Sequence, residues 1–186
     1  MKQAFTGADI FDGENLFRDT CLVVEDGRVQ AIATNVPKDA QEIPLHGGTL
    51  SPGFLDLQVN GGGGAMVDGS TTAEGLARLC TLHASLGATG ILPTLITDTR
   101  KATAQVISAG IAAAKAKVPG FLGLHLEGPH LDPRRKGAHD AHLIRPMTDA
   151  DLALYLDAAA QLPSLMLTLA LASATSAQIA ALSAAG

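Results

Sequence analysis

The sequence predicts an α/β protein whose main body is a parallel sheet of four successive strand–helix units, half the number of a closed (β/α)8 barrel, after a β-rich opening segment. Three observations carry this reading. From Leu50 onward, short apolar runs alternate with amphipathic, Ala-rich stretches that open on Thr or Asp. Residues 1–50 show no helical period and are cut by turn residues, so they form one segment and residues 51–186 the other. Polar side chains suited to a site, Gln58, Asn60 and Glu127, fall at the carboxyl ends of nonadjacent strands. Barrels gather their sites there, whereas alternation alone would equally suit an open doubly wound sheet.

In the opening segment, two β-rich runs flank Glu25-Asp26-Gly27-Arg28 and read as a hairpin. A second turn cluster spans Phe11 to Asn15, and Pro37, Pro44 and Gly47-Gly48 interrupt the rest. Strands this short bury little alone, so the segment is expected to pack on another layer. The main body starts with the strand SPGFLDLQVN. Phe54, Asp56, Gln58 and Asn60 share one face, and Leu55, Leu57 and Val59 the other. A buried polar row without partners is costly, so the first row is expected to face a site or paired groups.

The first helix is read from Thr71, with Glu74 completing a capping box, Leu76, Leu79, Leu82 and Leu86 as its stripe and Gly87 as its stop. ATGILPTLIT is the second strand, where Pro93 predicts a bulge or an irregular end. Asp98 is expected to cap the second helix, which runs to about Lys117 before Val118-Pro119-Gly120. The third strand covers residues 121–127, placing Phe121, Gly123, His125 and Glu127 on one face until Gly128-Pro129 stops the ladder. Thr148 caps the third helix, to about Ala160; LMLTLAL is the fourth strand, and Thr175 with Gln178 opens the last helix.

Composition narrows the function classes. With 47% apolar residues, no Trp and one Tyr, the core must be built from Leu, Ile, Val, Ala and a few Phe. A net charge of -5 and a pI near 5.6 argue against nucleic acid or an anionic membrane as partner, since both want a basic face. Arg134-Arg135-Lys136 is the one dense cationic run, read as solvated charge or as steering for an anion. Cys21 and Cys80 lack metal-ligand spacing and are read as free thiols of a reducing compartment. The amino-terminal stretch has no apolar targeting core and no later run is long enough to span a bilayer, so a cytoplasmic location is expected.

The stretch LHLEGPHLDPRRKGAH concentrates the chemistry, with Glu127 presented where its strand ends. His125, two residues deeper, is read either as a partner of a metal-bound carboxylate or as a satisfied core histidine. His139 is read as a ligand-oxygen or phosphate contact or as an exposed loop residue. Gly61 to Gly64 lack the Lys-Ser or Lys-Thr of a phosphate-binding loop and are read as a flexible loop that lets backbone approach a ligand. No G-x-S-x-G elbow is present, so a serine nucleophile has no support.

PGFLDLQVNGGGG together with HLEGPHLDPRRKGAH resembles the N-acetylglucosamine-6-phosphate deacetylases of the amidohydrolase superfamily, over essentially the whole chain. The resemblance implies a β-sandwich segment beside a metal-dependent (β/α)8 barrel, of which this chain would be the first half. It also implies hydrolysis of N-acetylglucosamine 6-phosphate to glucosamine 6-phosphate and acetate in amino-sugar metabolism. By position, Glu127 matches the metal-binding glutamate, and Ala138 and His139 match the substrate-contacting pair. Gln58 and Asn60 stand where many amidohydrolases carry His-x-His; amides ligate zinc weakly, so the resemblance implies one divalent metal, zinc before iron, cobalt or manganese. The family's two histidine ligands and catalytic aspartate would lie beyond Gly186, and Leu171-Ala172 replaces a Pro-Glu pair, so no catalytic residue is assigned within the chain. The expected whole is a homodimer acting on a small sugar phosphate, with these residues alone inactive. A noncatalytic half barrel that binds a sugar phosphate or a partner, and an amidohydrolase for another amide, stand as alternatives.

Overall fold

A computed structural model describes residues 1–186, which divide into two compact units, Met1–Gly53 and Phe54–Gly186. The first unit holds seven short strands: β1 (Lys2–Thr6), β2 (Asp9–Phe11), β3 (Leu16–Phe17), β4 (Cys21–Glu25), β5 (Arg28–Ala33), β6 (Gln41–Pro44) and β7 (Thr49–Leu50). They form a mixed sheet in the order β5-β4-β1-β6 and a smaller one, β3-β2-β7. Its buried cluster is small: Ala4, Cys21 and Val23, flanked by Ala33, Val36 and Ala40. The β4–β5 hairpin turns through Asp26 and Gly27, both at positive φ, as a two-residue hairpin turn requires. Asp12 closes the second turn by accepting hydrogen bonds from the Glu14 and Asn15 amides.

The second unit contains the parallel sheet. Strands β8 (Phe54–Val59), β11 (Ala88–Ile96), β12 (Leu124–Glu127) and β13 (Leu165–Thr168) lie side by side in chain order, every neighbouring pair parallel. Helices α1 (Ala73–Ser85), α2 (Arg100–Lys115), α3 (Asp149–Ala159) and α4 (Ser176–Ala184) follow the strands in turn, each touching the next. Between β8 and α1 lies a small hairpin, β9 (Gly61–Gly62) and β10 (Ala65–Met66). One face of the sheet, with Val59, Ile91, Leu95, Leu124, Leu126, Leu165 and Leu167, packs on the helices as a single apolar cluster. The other face carries Gln58, Thr94, His125, Glu127 and Thr168, because alternate residues along a strand take opposite faces. The edge strand β8 leaves Leu55 and Leu57 half or more exposed, in contrast with the buried β12.

Several local expectations shift. The third strand begins at Leu124, not at residue 121: Gly123 sits at φ +135, which breaks the alternation, and Phe121 makes only an isolated bridge to Ile91. The caps of α1 and α2 move one residue on, to Thr72 and Thr99, whose hydroxyls accept from the Gly75 and Ala102 amides. Thr71 instead accepts from the Asp68 amide. Thr148 caps α3 as expected, with Asp151 completing a capping box, and the Thr175–Gln178 pair opens α4 as expected. Pro93 sits at a register shift between β11 and β8, the irregularity its missing amide hydrogen predicts.

Candidate functional site

Glu127 ends β12, and Gly128 after it has φ +92, a conformation that turns the chain away from the sheet and that L side chains rarely adopt. The Glu127 side chain is 20% exposed, open enough to meet a ligand, with one oxygen hydrogen-bonded and the other faced by an imidazole. Gln58, reaching over from β8, donates from Nε2 to Oε2 at 2.8 Å. His139, on the turn after the cationic run, brings Nε2 to 3.6 Å from Oε1. The Thr97 amide donates to His139 Nδ1 at 3.3 Å, so a neutral ring carries its proton on Nε2, facing the carboxylate. The Thr97 hydroxyl also donates to the Glu127 carbonyl at 3.4 Å, tying the two residues to one strand end. The set is a carboxylate acceptor flanked by an amide and an imidazole, each offering a hydrogen.

Other expected residues fall elsewhere. His125 is 2% exposed, and its ring nitrogens meet Thr168 Oγ1 at 2.8 Å and Thr94 Oγ1 at 3.3 Å, not Glu127. Burial lowers its pKa and outweighs the nearby Glu127 charge. Of the two readings left open for it, the geometry is that of the satisfied core histidine. Asn60 lies just past β8, and its buried Nδ2 has no hydrogen-bond partner. Ala138 is exposed beside His139. The four glycines form no loose loop: Gly63 and Gly64, at φ +59 and +83, make the tight turn of the β9–β10 hairpin. His83 of α1 meets the Gly61 carbonyl at 3.1 Å. In the cationic run, Arg134 pairs with its neighbour Asp132, while Arg135 and Lys136 are exposed.

Nothing in the linear pattern singled out the Thr94, Thr97 and Thr168 hydroxyls, which lace the polar face together. Strand parity was the available signal for Thr94 and Thr168, which fall in the row that faces away from the helices, whereas Thr97 lies just beyond the end of β11.

A metal ion needs more than these side chains offer. A catalytic zinc takes three protein ligands, whereas Glu127 is the one carboxylate here, His139 presents a proton, and no three His, Cys, Asp or Glu side chains converge. The residues of this chain therefore do not by themselves make a metal site.

No family model matches the chain. It is 31% identical over 153 residues to the N-acetylglucosamine-6-phosphate deacetylase of Haemophilus influenzae, covering 80% of this chain and 39% of that protein. A mutant N-acetyl-D-glucosamine-6-phosphate deacetylase from Mycobacterium smegmatis, solved in complex with N-acetyl-D-glucosamine-6-phosphate, superposes on all of this chain with a TM-score of 0.82 at 30% identity. The chain is related to the N-acetylglucosamine-6-phosphate deacetylases. It covers 48% of that solved chain, and so spans about half the length of the deacetylases it matches. A relative named for another substrate, the N-acetylgalactosamine-6-phosphate deacetylase of Shewanella sp. (strain ANA-3), is 35% identical over 97% of this chain and 46% of its own length.

Proposed function

We propose that the chain is part of a sugar-phosphate deacetylase that hydrolyses N-acetylglucosamine 6-phosphate to glucosamine 6-phosphate and acetate. The observation that carries the reading is the Glu127 carboxylate at a strand's carboxyl end, with Gln58 on one oxygen and His139 facing the other. The relatives' names supply the substrate class. In this reading residues 54–186 are the first half of a (β/α)8 barrel. Support comes from four parallel strands in chain order, helices on one face, and an uncovered β8 edge that a further strand would close. Residues 1–53 would belong to a β-sandwich.

Amide hydrolysis adds water to the acetyl carbonyl and breaks the C–N bond, leaving acetate and a protonated amine. His139 binds substrate by donating its Nε2 hydrogen to a substrate oxygen, with Ala138 beside it. Glu127 would serve as one ligand of a single divalent ion, zinc in preference to iron, cobalt or manganese, with Gln58 orienting its carboxylate. Since residues 1–186 supply one such ligand, they are expected to be inactive alone. The active form is taken to be a cytoplasmic homodimer; no helix is long and apolar enough to cross a membrane. A second substrate, N-acetylgalactosamine 6-phosphate, is favoured by the relative that covers nearly all of the chain.

The test is acetate release by the full-length protein from both sugar phosphates and from unphosphorylated N-acetylglucosamine, beside a Glu127→Gln control. Turnover of a phosphorylated sugar that the control loses supports the proposal. Absence of turnover on all three sugars overturns it.

A further inference from the structure

The loop that carries His139 leaves the sheet after Glu127 and returns to α3, and its two ends meet at a neck. There the Arg145 amide donates to the Pro129 carbonyl at 3.1 Å, and His130 Nδ1 donates back to the Arg145 carbonyl at 3.0 Å. Both neck side chains then run to one face of α3. His130 Nε2, left without a proton, accepts from the Tyr155 hydroxyl at 3.0 Å, with the rings edge to face. The Arg145 guanidinium grips both oxygens of Asp151, four residues before Tyr155 and so one turn away on the same side of the helix. Asp151 also accepts from the Thr148 amide and hydroxyl and from Arg100 of α2.

His130 and Tyr155 are each 2% exposed and Asp151 4%, a cost in desolvation that loop closure alone would not demand. None of the four hydrogen-bonds to Glu127, Gln58 or His139. The neck is further fixed by Ala170, whose amide donates to the His130 carbonyl at 2.7 Å. The loop thus has a rigid base on α3, while its tip places His139 against the Thr97 amide and Glu127.

We propose that His130, Arg145, Asp151 and Tyr155 form a clamp on the loop neck and are positioning residues for His139, setting the affinity for substrate without contacting it. The binding role of His139 rests on the proposed deacetylase function; the mechanical role of the clamp does not. The experiment uses the full-length protein with Tyr155→Phe, Arg145→Met and Arg145→Lys. Amide hydrogen exchange is followed in peptides covering residues 130–144, and steady-state kinetics are run on the sugar phosphates. Tyr155→Phe and Arg145→Met should speed exchange in the loop about tenfold or more while β11 and β12 stay protected. KM should rise about tenfold with kcat within about threefold, the pattern of lost binding. Arg145→Lys, which keeps the charge but not the two-pronged grip, should fall between wild type and Arg145→Met.

Unchanged loop exchange, or exchange rising equally throughout the unit, overturns the clamp. Faster loop exchange with an unchanged KM overturns its link to substrate affinity. If the wild-type protein turns over no sugar phosphate, the deacetylase reading falls, and the exchange data alone decide whether the clamp exists.

Discussion

Two loops leave carboxyl ends of the same parallel sheet, and they are held by opposite means. The Gly61–Met66 loop after β8 is a hairpin, ordered by backbone pairing and a tight turn at Gly63-Gly64. The loop after β12 has almost no regular structure and is ordered by the buried Asp151 and Tyr155 of α3, with the exposed Arg100 of α2 adding a bond to Asp151. A glycine-rich stretch reads as flexible and a polar loop as solvated, yet the first is a compact local turn and the second rests on a buried charge. What distinguishes them is sequence range: a turn is built from neighbours, whereas a long loop without ladders must borrow its order from distant residues.

The sharpest way to break that contrast is at Asp151. Asp151→Ala leaves Arg145 partly buried without its acceptor, and removing one partner of a buried pair costs about 3–5 kcal/mol. Chemical denaturation of the full-length protein should show a loss in that range. A loss below about 1 kcal/mol would mean that the loop base is held by its backbone bonds alone.

Titration sharpens the comparison, because the clamp contains ionisable groups with shifted pKa values. Burial would raise the Asp151 pKa, but hydrogen bonds from Arg145, Thr148 and Arg100 win and hold it well below the usual carboxylate value of 3.8. Its contribution is therefore full above the unfolded pKa and is lost as pH falls through the folded one. Tyr155 is shifted the other way, from 10.0 up to about 12, first by burial and then by the Asp151 charge. Its contribution is full below pH 10 and is lost as pH rises towards 12. At about 1.4 kcal/mol per pKa unit, the alkaline loss is roughly 2–3 kcal/mol. Stability measured from pH 8 to 12 should show this limb in the wild type and a flatter one in Tyr155→Phe; parallel curves would place the loss in other groups.

At the loop tip the expected effect is smaller. His139→Gln in the full-length protein should raise KM for the proposed reaction about tenfold, or about 1.4 kcal/mol, with little change in kcat. Initial-rate kinetics check it, and unchanged KM and kcat would remove His139 from the site.

Much of this architecture was legible because it is local. Strand boundaries singled out Gln58 and Glu127 at the carboxyl ends of their strands, and the structure joins them by a hydrogen bond. Turn chemistry gave the Asp26-Gly27 hairpin, and Thr148 was legible as the cap of α3. Caps slipped by one residue where two candidates stood side by side, since only the residue in register with the N3 amide can serve it. The clamp was not legible. His130 and Tyr155 lie 25 residues apart with no shared period, and nothing in the sequence ties Asp151, which completes the α3 capping box, to Arg145 or Arg100. Thr97 was hidden for a similar reason, because its contact with His139 runs through a backbone amide that no side-chain pattern announces.

The gentlest test falls on the other loop. Gly64 sits at φ +83 with nothing within 4 Å of the position a Cβ would take, so Gly64→Ala creates no clash and isolates the backbone term. Holding an L residue in this left-handed region costs about 1–2 kcal/mol, and the stiffer unfolded chain returns part of it, leaving about 1 kcal/mol. Thermal unfolding of Gly64→Ala should show a loss of that size, with loop exchange after β12 unchanged. Gly61→Ala is the control with a larger expected loss, because its Cβ would run into the Ala65 carbonyl across the hairpin. If Gly64→Ala were neutral, the turn would have relaxed to another form. If it cost as much as Asp151→Ala, the hairpin would be carrying long-range order, and the distinction between a locally built loop and a borrowed one would not hold for this molecule.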